Sequence, residues 1–302
     1  MSKLCDSFNI EKDTEITIEA NPGTLDRKKI ASYVKSGVNR FSLGLQSTDD
    51  DVLKSIGRIH TYNDFEESYN ILRSLNIKNI SIDLMMGLPG QKLEGFTEGL
   101  KKILDLKPEH LSCYGLVLEE GTPLYKQASS GSFKLDEDLE RDMYHMLIES
   151  LAKAGYIHYE ISNFALPGFS SRHNMVYWNL DDYVGLGLGA HSFSDSCRFY
   201  NISDMKEYIE KANGFQSVIK ETERIELKNL KEEFMFLGLR KIQGVNCQDY
   251  GDRFASSIWD DYGTEIEKLI KEELLEKTDG KIKLSLKGLD FANGVFGEFI
   301  KS

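Results

Sequence analysis

Strand-like and helix-like segments alternate along the first 120 or so residues of this 302-residue chain, and that order restricts the fold more than any other feature. Successive strands separated by a helix cannot pair as hairpins. They lie parallel, joined by right-handed crossovers. Thr14–Ala20 alternates with period two and is rich in β-branched residues, which predicts a strand. Asn-Pro-Gly breaks it, and Thr24 is placed to cap a helix carrying Leu25, Ile30, Tyr33 and Val34, which Gly37 ends. Arg40–Leu45 is the next expected strand. Phe65, Tyr69 and Leu72 then share a helix face, and Asn79–Met86 forms a strand closed by Gly-Leu-Pro-Gly. Phe96, Leu100, Ile103 and Leu104 mark another helix, and Leu111–Leu118 a fourth strand.

Asp136 opens a further amphipathic helix with Met143, Met146, Leu147 and Leu151 inward, and Tyr156–Asn163 is expected to be one strand. From Ser203 onward the pattern reads as mainly helical, so the expected domains are 1–202 and 203–302. The second ends in a helix (Thr264–Leu274), a hairpin turning at Asp279–Gly280 and a last helix, an order that resembles a winged-helix element. From Glu221 onward, 17 acidic residues face 13 basic ones, and the whole chain carries a net charge of −12, so nucleic acid is not expected as a partner. A hydrophobic content of 40% is enough for a sizeable core. The N-terminus lacks a signal-peptide pattern and no apolar run is long enough to span a membrane, so a cytoplasmic location is expected. Cys5, Cys113, Cys197 and Cys247 contain no Cys-x-x-Cys pair and are read as lone thiols.

In parallel α/β folds the ligand site forms at the carboxyl ends of the strands. Four strands each deliver polar residues there: Glu19 and Asn21, Gln46 and Ser47, Asp83, then Tyr114 and Gly115, with Arg58 close behind the second strand. Two acids, an amide and an arginine suit a zwitterionic ligand carrying a ribose. Arg58 can grip a carboxylate bidentately and Asp83 can accept from ribose hydroxyls, while Gln46 assists and Glu19 faces an ammonium. The competing reading is a set of solvated caps and ion pairs.

Several strings point to one family: Glu-Ala-Asn-Pro-Gly-Thr (19–24), Gly-Val-Asn-Arg-Phe-Ser-Leu-Gly-Leu-Gln-Ser (37–47), Leu-Lys-Ser-Ile-Gly-Arg-Ile-His (53–60), Asp-Leu-Met-Met-Gly-Leu-Pro-Gly-Gln (83–91), Glu-Glu-Gly-Thr-Pro-Leu-Tyr (119–125) and Tyr-Glu-Ile-Ser-Asn-Phe-Ala (159–165). Over essentially its whole length the chain resembles the radical S-adenosylmethionine family, in the branch holding the oxygen-independent coproporphyrinogen III oxidases and the heme chaperones. The resemblance implies an α/β fold, a partial parallel (β/α) barrel followed by a mainly helical, winged-helix-like domain. It also implies an S-adenosylmethionine pocket at Glu19, Gln46, Arg58, Asp83 and Gly115.

His173-Asn174-Met175-Val176-Tyr177-Trp178 resembles the His-Asn-x-x-Tyr-Trp signature of the heme chaperones. That implies heme as cargo, with His173 as the ligand to its iron and Tyr177 and Trp178 as flat apolar walls. The bland alternative is a helix start with packed aromatics and a hydrogen-bonded histidine. Gly185-Leu186-Gly187-Leu188-Gly189-Ala190-His191 lacks nucleotide-loop spacing and is read as close backbone packing, with His191 a weaker contact candidate. His60, His110, His145 and His158 are read as structural or surface residues.

The family pattern also has a Cys-x-x-x-Cys-x-x-Cys loop for a [4Fe-4S] cluster and a Gly-Gly-Gly-Thr-Pro segment, and neither occurs here. The resemblance aligns Thr14–Ala20 with the third barrel strand, so the expectation is an N-terminally incomplete family member. A cluster is expected only in the intact form, and radical catalysis is not expected of this chain. Heme handed to an acceptor protein is the leading expectation, with membrane contact only through that acceptor. Oxidative decarboxylation of coproporphyrinogen III and a cluster-free binding protein are the alternatives. An open sheet edge makes a dimer an additional expectation.

Overall fold

The computed structural model describes residues 1–301, which divide into two compact units, Met1–Ser170 and Ser171–Ser302. The first runs α1 (Ser2–Ser7), β1 (Thr17–Ala20), α2 (Arg27–Lys35), β2 (Arg40–Gln46), α3 (Asp50–Ser55), α4 (Tyr62–Ser74), β3 (Ile80–Met86), α5 (Leu93–Leu106), β4 (His110–Gly115), α6 (Pro123–Ser129), α7 (Glu137–Lys153), β5 (Ile157–Glu160) and β6 (Asn163–Ala165). Its sheet has the order β1-β2-β3-β4-β6-β5. The first four strands are parallel, as the strand–helix alternation requires, and β6 joins β4 antiparallel.

The alternation within β2, β3 and β4 decides which side each face takes. Phe41, Leu43 and Leu45, then Ile80, Ile82 and Leu84, then Leu111 and Cys113 point to the helices. There they meet Ile30, Phe65, Leu72, Phe96, Leu100, Ile103, Met143, Leu147 and Leu151 in one core. A parallel sheet covered on both faces by apolar layers would read as continuous hydrophobic runs. These strands instead place Arg40, Ser42 and Gln46, Ser81 and Asp83, and His110, Ser112 and Tyr114 at the intervening positions. The second face of the sheet is therefore polar.

Several local expectations need correction. Asp26, rather than Thr24, caps α2 by accepting from the Lys29 amide, while the Thr24 hydroxyl donates to the Asn21 carbonyl. Leu25 then precedes the cap and joins Ile30 in the core, a hydrophobic staple across the helix start. Val34 is 41% exposed rather than inward. Tyr156–Asn163 is not one strand: β5 and β6 form a tight antiparallel hairpin, with a register shift between His158 and Glu160. The strand expected at Leu111–Leu118 ends at Gly115.

The second unit contains α8 (Arg172–Trp178), β7 (His191–Ser194), β8 (Cys197–Asn201), α9 (Met205–Asn213), β9 (Ile219–Arg224), α10 (Leu227–Gly238), β10 (Val245–Asn246), α11 (Cys247–Phe254), α12 (Ile258–Lys271), β11 (Leu275–Thr278), β12 (Lys281–Leu284), α13 (Leu286–Asp290) and α14 (Ala292–Gly297). The β10-β12-β11 sheet with α11 and α12 gives the winged-helix-like arrangement, although α12 begins earlier than the expected Thr264. The antiparallel sheet β7-β8-β9 was not anticipated, because β9 (Ile-Lys-Glu-Thr-Glu-Arg) is exposed at every position and has no apolar alternation. The contact division after Ser170 also differs from the expected boundary at 202: α8 and β7–β9 are compact with the residues that follow them. No helix among the described residues is long and apolar enough to cross a membrane.

Phe65 and Val34 separate core from surface on neighbouring helices. Phe65→Ala should cost about 3–5 kcal/mol in urea-unfolding free energy, while Val34→Ala should change it by no more than about 0.5 kcal/mol.

Candidate functional site

In the first unit, the polar strand face forms a layered site. Nearest the carboxyl ends, the Tyr114 hydroxyl donates to Gln46 Oε1 at 3.0 Å, and Arg58 Nη1 donates to Asn21 Oδ1 at 2.8 Å. Asp83 is deeper than a strand-end position. It pairs in register with Ser112, two residues below the Met85–Tyr114 pair, and accepts from Ser42 Oγ at 3.0 Å. Glu19 lies on the edge strand in register with Ser42 and is exposed. Gln46, Asp83, Arg58 and Glu19 thus share one end of one sheet, with Asn21, Ser42 and Tyr114 as their partners.

Local backbone geometry aims Gln46. β2 shifts register against β3 between Leu43 and Gln46, and Gln46 adopts φ 71°, a left-handed conformation costly for a residue with a side chain. Gly44 makes room for the result: a Cβ there would come within 3.1 Å of Gln46 Nε2. An irregularity that re-aims a side chain at a strand end is a recurrent device beside binding sites.

Burial pushes the Asp83 carboxyl up to about 6, with the nearby Glu19 charge adding to the rise; hydrogen bonds from Ser42 and Ser112 and the charge of Arg40 oppose it. Below this layer, Ser81 Oγ meets His110 Nδ1 at 2.8 Å and Tyr159 Oη meets His110 Nε2 at 2.8 Å. His110 is fully buried, and burial followed by the Arg40 charge holds its pKa well below the usual histidine value. It is structural, as expected. So is His60, whose Nε2 lies 3.1 Å from the Leu45 carbonyl.

Glu140 escaped the sequence reading. It projects from the first turn of α7 onto the strand ends, where a Cβ on Gly115 would fall 1.9 Å from its Oε1 and one on Gly87 3.0 Å from its Oε2. The glycine at 115 therefore admits this carboxylate, whose pKa burial raises, followed by the charge of Glu137. Glycines closing two adjacent strands were the available signal, and the approaching helix could not be read from local pattern.

In the second unit, Ser171 caps α8 by accepting from the Asn174 amide. The helix exposes His173, and Tyr177, one turn on, meets it with its hydroxyl 3.1 Å from Nε2 and an edge-on ring at 4.9 Å. Tyr177 packs edge-on against Tyr183 at 4.8 Å. Tyr183 begins the loop that exposes Val184 (60%), Leu186 (61%) and Leu188 (42%). Trp178 follows a different direction: Arg240 lies over its ring at 4.4 Å, and it lines a separate cleft. The motif is thus a helix whose residues divide between two surfaces. The Gly185 segment is close-packed as expected, since a Cβ there would fall 2.2 Å from the His191 carbonyl oxygen. The exposed His191 ring stacks on Tyr200 at 5.1 Å.

Residues 2–103 match the family model of the Radical SAM superfamily, and residues 225–291 that of the HemN C-terminal domain. The structure of coproporphyrinogen III oxidase (HemN) from Escherichia coli, a radical SAM enzyme, matches with a TM-score of 0.81 over 99% of this chain and 72% of that one. At 19% identity that likeness is one of fold. Fold and family models together define a protein of the radical SAM class, built on a partial barrel. The heme chaperone HemW of Lactococcus lactis is 37% identical over 301 residues, covering 99% of this chain and 79% of that protein. The heme chaperone HemW of Bacillus subtilis is 34% identical over 288 residues, covering 95% and 76%. The chain belongs to the heme chaperone HemW family.

The superfamily implies a [4Fe-4S] cluster, and the residues present do not fit one. Among the described residues no group of three or more His, Cys, Asp or Glu side chains could hold a metal ion. Cys5 is exposed on α1, Cys113 is buried in β4, and Cys197 and Cys247 belong to the second unit.

Between pH 4 and 6 the folded chain holds a proton on Asp83 that the unfolded chain has released, so this group's contribution to stability falls as pH rises through that window. Asp83→Asn should remove that slope, on the order of 1–3 kcal/mol, in urea midpoints measured from pH 4 to 7.5. His110 acts in the opposite sense, losing stability as pH falls below its unfolded value, so the difference between wild type and variant carries the test. Separately, Gly115→Ala should destabilise by about 1–3 kcal/mol by displacing Glu140. Adding Glu140→Ala should recover most of that loss in a double-mutant cycle.

Proposed function

We propose that this chain is a heme chaperone of the HemW type, which binds heme on the α8 surface and passes it to an acceptor protein. The observation carrying this reading is the exposed imidazole of His173, braced by Tyr177 and bordered through Tyr183 by a loop with three exposed aliphatic side chains. Heme is flat and apolar with a central metal, and imidazole beside an apolar wall is a recurrent way to hold it. Coordination through Nε2 would displace the Tyr177 hydroxyl, which makes that contact a reversible latch suited to a carrier. Trp178 belongs to the motif but is turned toward a neighbouring cleft, so His173 and Tyr177 supply the iron-side contacts.

The strand-end site of the first unit supports a second ligand, S-adenosylmethionine. Arg58, held on one nitrogen by Asn21, has its remaining edge for the methionine carboxylate, and exposed Glu19 suits the ammonium. Gln46 and Asp83 are acceptors for ribose hydroxyls, and Tyr114 and Ser42 orient them. In radical SAM relatives a cluster reductively cleaves this cofactor. The residues here bind and orient it.

Hemin titrated into the full chain should give a Soret band that shifts on binding, and His173→Ala should weaken binding at least tenfold. Tyr177→Phe, which removes the hydroxyl that meets Nε2, should retain or tighten it. An unchanged Soret band and affinity in His173→Ala would remove His173 from the site.

A further inference from the structure

Beneath the indole of Trp178, within the second unit, lies a cleft of about 190 Å³ that the heme reading does not use. The end of α8 forms one wall through Trp178 and Asn179, and the turn after α10 forms the other through Lys241 and Gln243; Lys281 on β12 and Asp249 on α11 also line it, beside apolar residues such as Phe234. The turn is rigidly built. The Gly244 amide donates to the Lys241 carbonyl at 2.8 Å, and Gly244 sits at φ 70°. A Cβ on Gly244 would fall 2.0 Å from the Ile282 carbonyl oxygen, so only glycine lets the turn lie this close to β12. α8 is fixed at the same end by Arg253, which donates to the carbonyls of Asn179 and Leu180.

Both ammonium groups are held by neutral amides. Lys241 Nζ donates to Asn179 Oδ1 at 2.8 Å and Lys281 Nζ to Gln243 Oε1 at 3.4 Å, and among the described residues neither forms a salt bridge. Burial lowers the Lys241 pKa, with Lys281 adding to that, while Asp249 and Asp181 oppose it. A desolvated ammonium without an anionic partner is costly, and a ligand that brings the anion offsets that cost. Two lysines line the cleft beside Asp249, with the Asp181 charge also reaching Lys241, so the positive bias is small and matches a monoanion better than a phosphate dianion. The volume is below the roughly 300–1,000 Å³ of pockets that enclose whole drug-sized ligands, so it suits a short arm of a larger molecule or a small acid.

We propose that this cleft is a carboxylate-binding site, in which Lys241 and Lys281 hold the anion and the Trp178 ring packs on the adjoining carbon chain. The carboxylate has two sources, a propionate arm of a tetrapyrrole or a free small acid; only the first rests on the heme reading.

The chain has two tryptophans, so Trp259→Phe leaves Trp178 as the sole indole reporter. In that full-length background, sodium propionate titrated against chloride at constant ionic strength should change Trp178 emission saturably. Lys241→Met and Lys281→Met should each weaken the response at least tenfold, and Lys241→Arg should preserve it. Lys281→Met, at the half-buried first position of β12, serves if Lys241→Met fails to fold by circular dichroism. No saturable change, a response surviving both lysine substitutions, or tighter binding of inorganic phosphate would overturn the site. Hemin against its dimethyl ester then separates the sources. A tenfold loss for the ester that disappears in Lys281→Met assigns the arm to a tetrapyrrole. Equal binding of acid and ester, with propionate still bound, assigns it to a free acid. Absence of hemin binding with an intact propionate response sinks the heme reading and leaves the cleft. His173-dependent hemin binding without a propionate response sinks the cleft alone.

Discussion

The first unit depends on keeping a polar face buried beside a hydrophobic one in the same parallel sheet. Serine, histidine, aspartate and glutamine side chains on neighbouring strands would each lose hydration on folding. They recover it from one another: Ser81 to His110 to Tyr159 in one chain, Ser42 to Asp83 in a second, Tyr114 to Gln46 in a third. Each link joins different strands, so the network fixes register as well as satisfying polarity. Thr17 Oγ1 and Arg40 Nε remain without a hydrogen-bond partner on this face, so its capacity is not exhausted by the protein's own groups. A layer of this kind is expensive to maintain unless something binds against it, whereas an apolar lining would have been cheaper.

Within that layer, depth separates roles. Gln46 and Arg58 stand near the strand ends, where the register shift and the left-handed backbone at Gln46 aim its buried side chain toward Tyr114. Asp83 lies a level lower and is protonated more readily than an ordinary aspartate because burial dominates its surroundings. At neutral pH it is a carboxylate kept in a poorly solvated place, which a hydroxyl-bearing ligand would stabilise. Glu140 lies against the carboxyl ends of β3 and β4 and owes its position to two glycines, a carboxylate brought there by a helix rather than by the sheet.

Much of this was legible in the sequence because it follows from short-range rules. The period-two alternation at Thr14–Ala20 announced the first strand, the strand–helix order announced parallel pairing, and Asp136 and Gly155 bounded α7 as caps and stops do. What was not legible depended on contacts between distant segments. Asp26 won the cap of α2 from Thr24 because Leu25 then reaches Ile30, a packing outcome rather than a propensity. β9 carries no apolar residue pattern at all and exists as a strand only because β8 pairs with it. The hairpin at Ile161–Ser162 broke one expected strand into two because β6 must turn back to meet β4.

The His-Asn-x-x-Tyr-Trp segment shows most clearly why a motif read as a unit can divide in space. On a helix with about 100° per residue, positions four apart lie nearly above one another while positions five apart are about 140° apart around the axis. His173 and Tyr177 are four apart and meet, ring edge to ring face, on the exposed side. Trp178 is five from His173 and turns to Arg240 and the lysine-lined cleft. A helix of seven residues therefore serves two surfaces at once, with the exposed imidazole on Tyr177 and the indole against Arg240. An apolar ring system suits the first side and a short acidic group the second. Each side can be removed by its own substitution without touching the other.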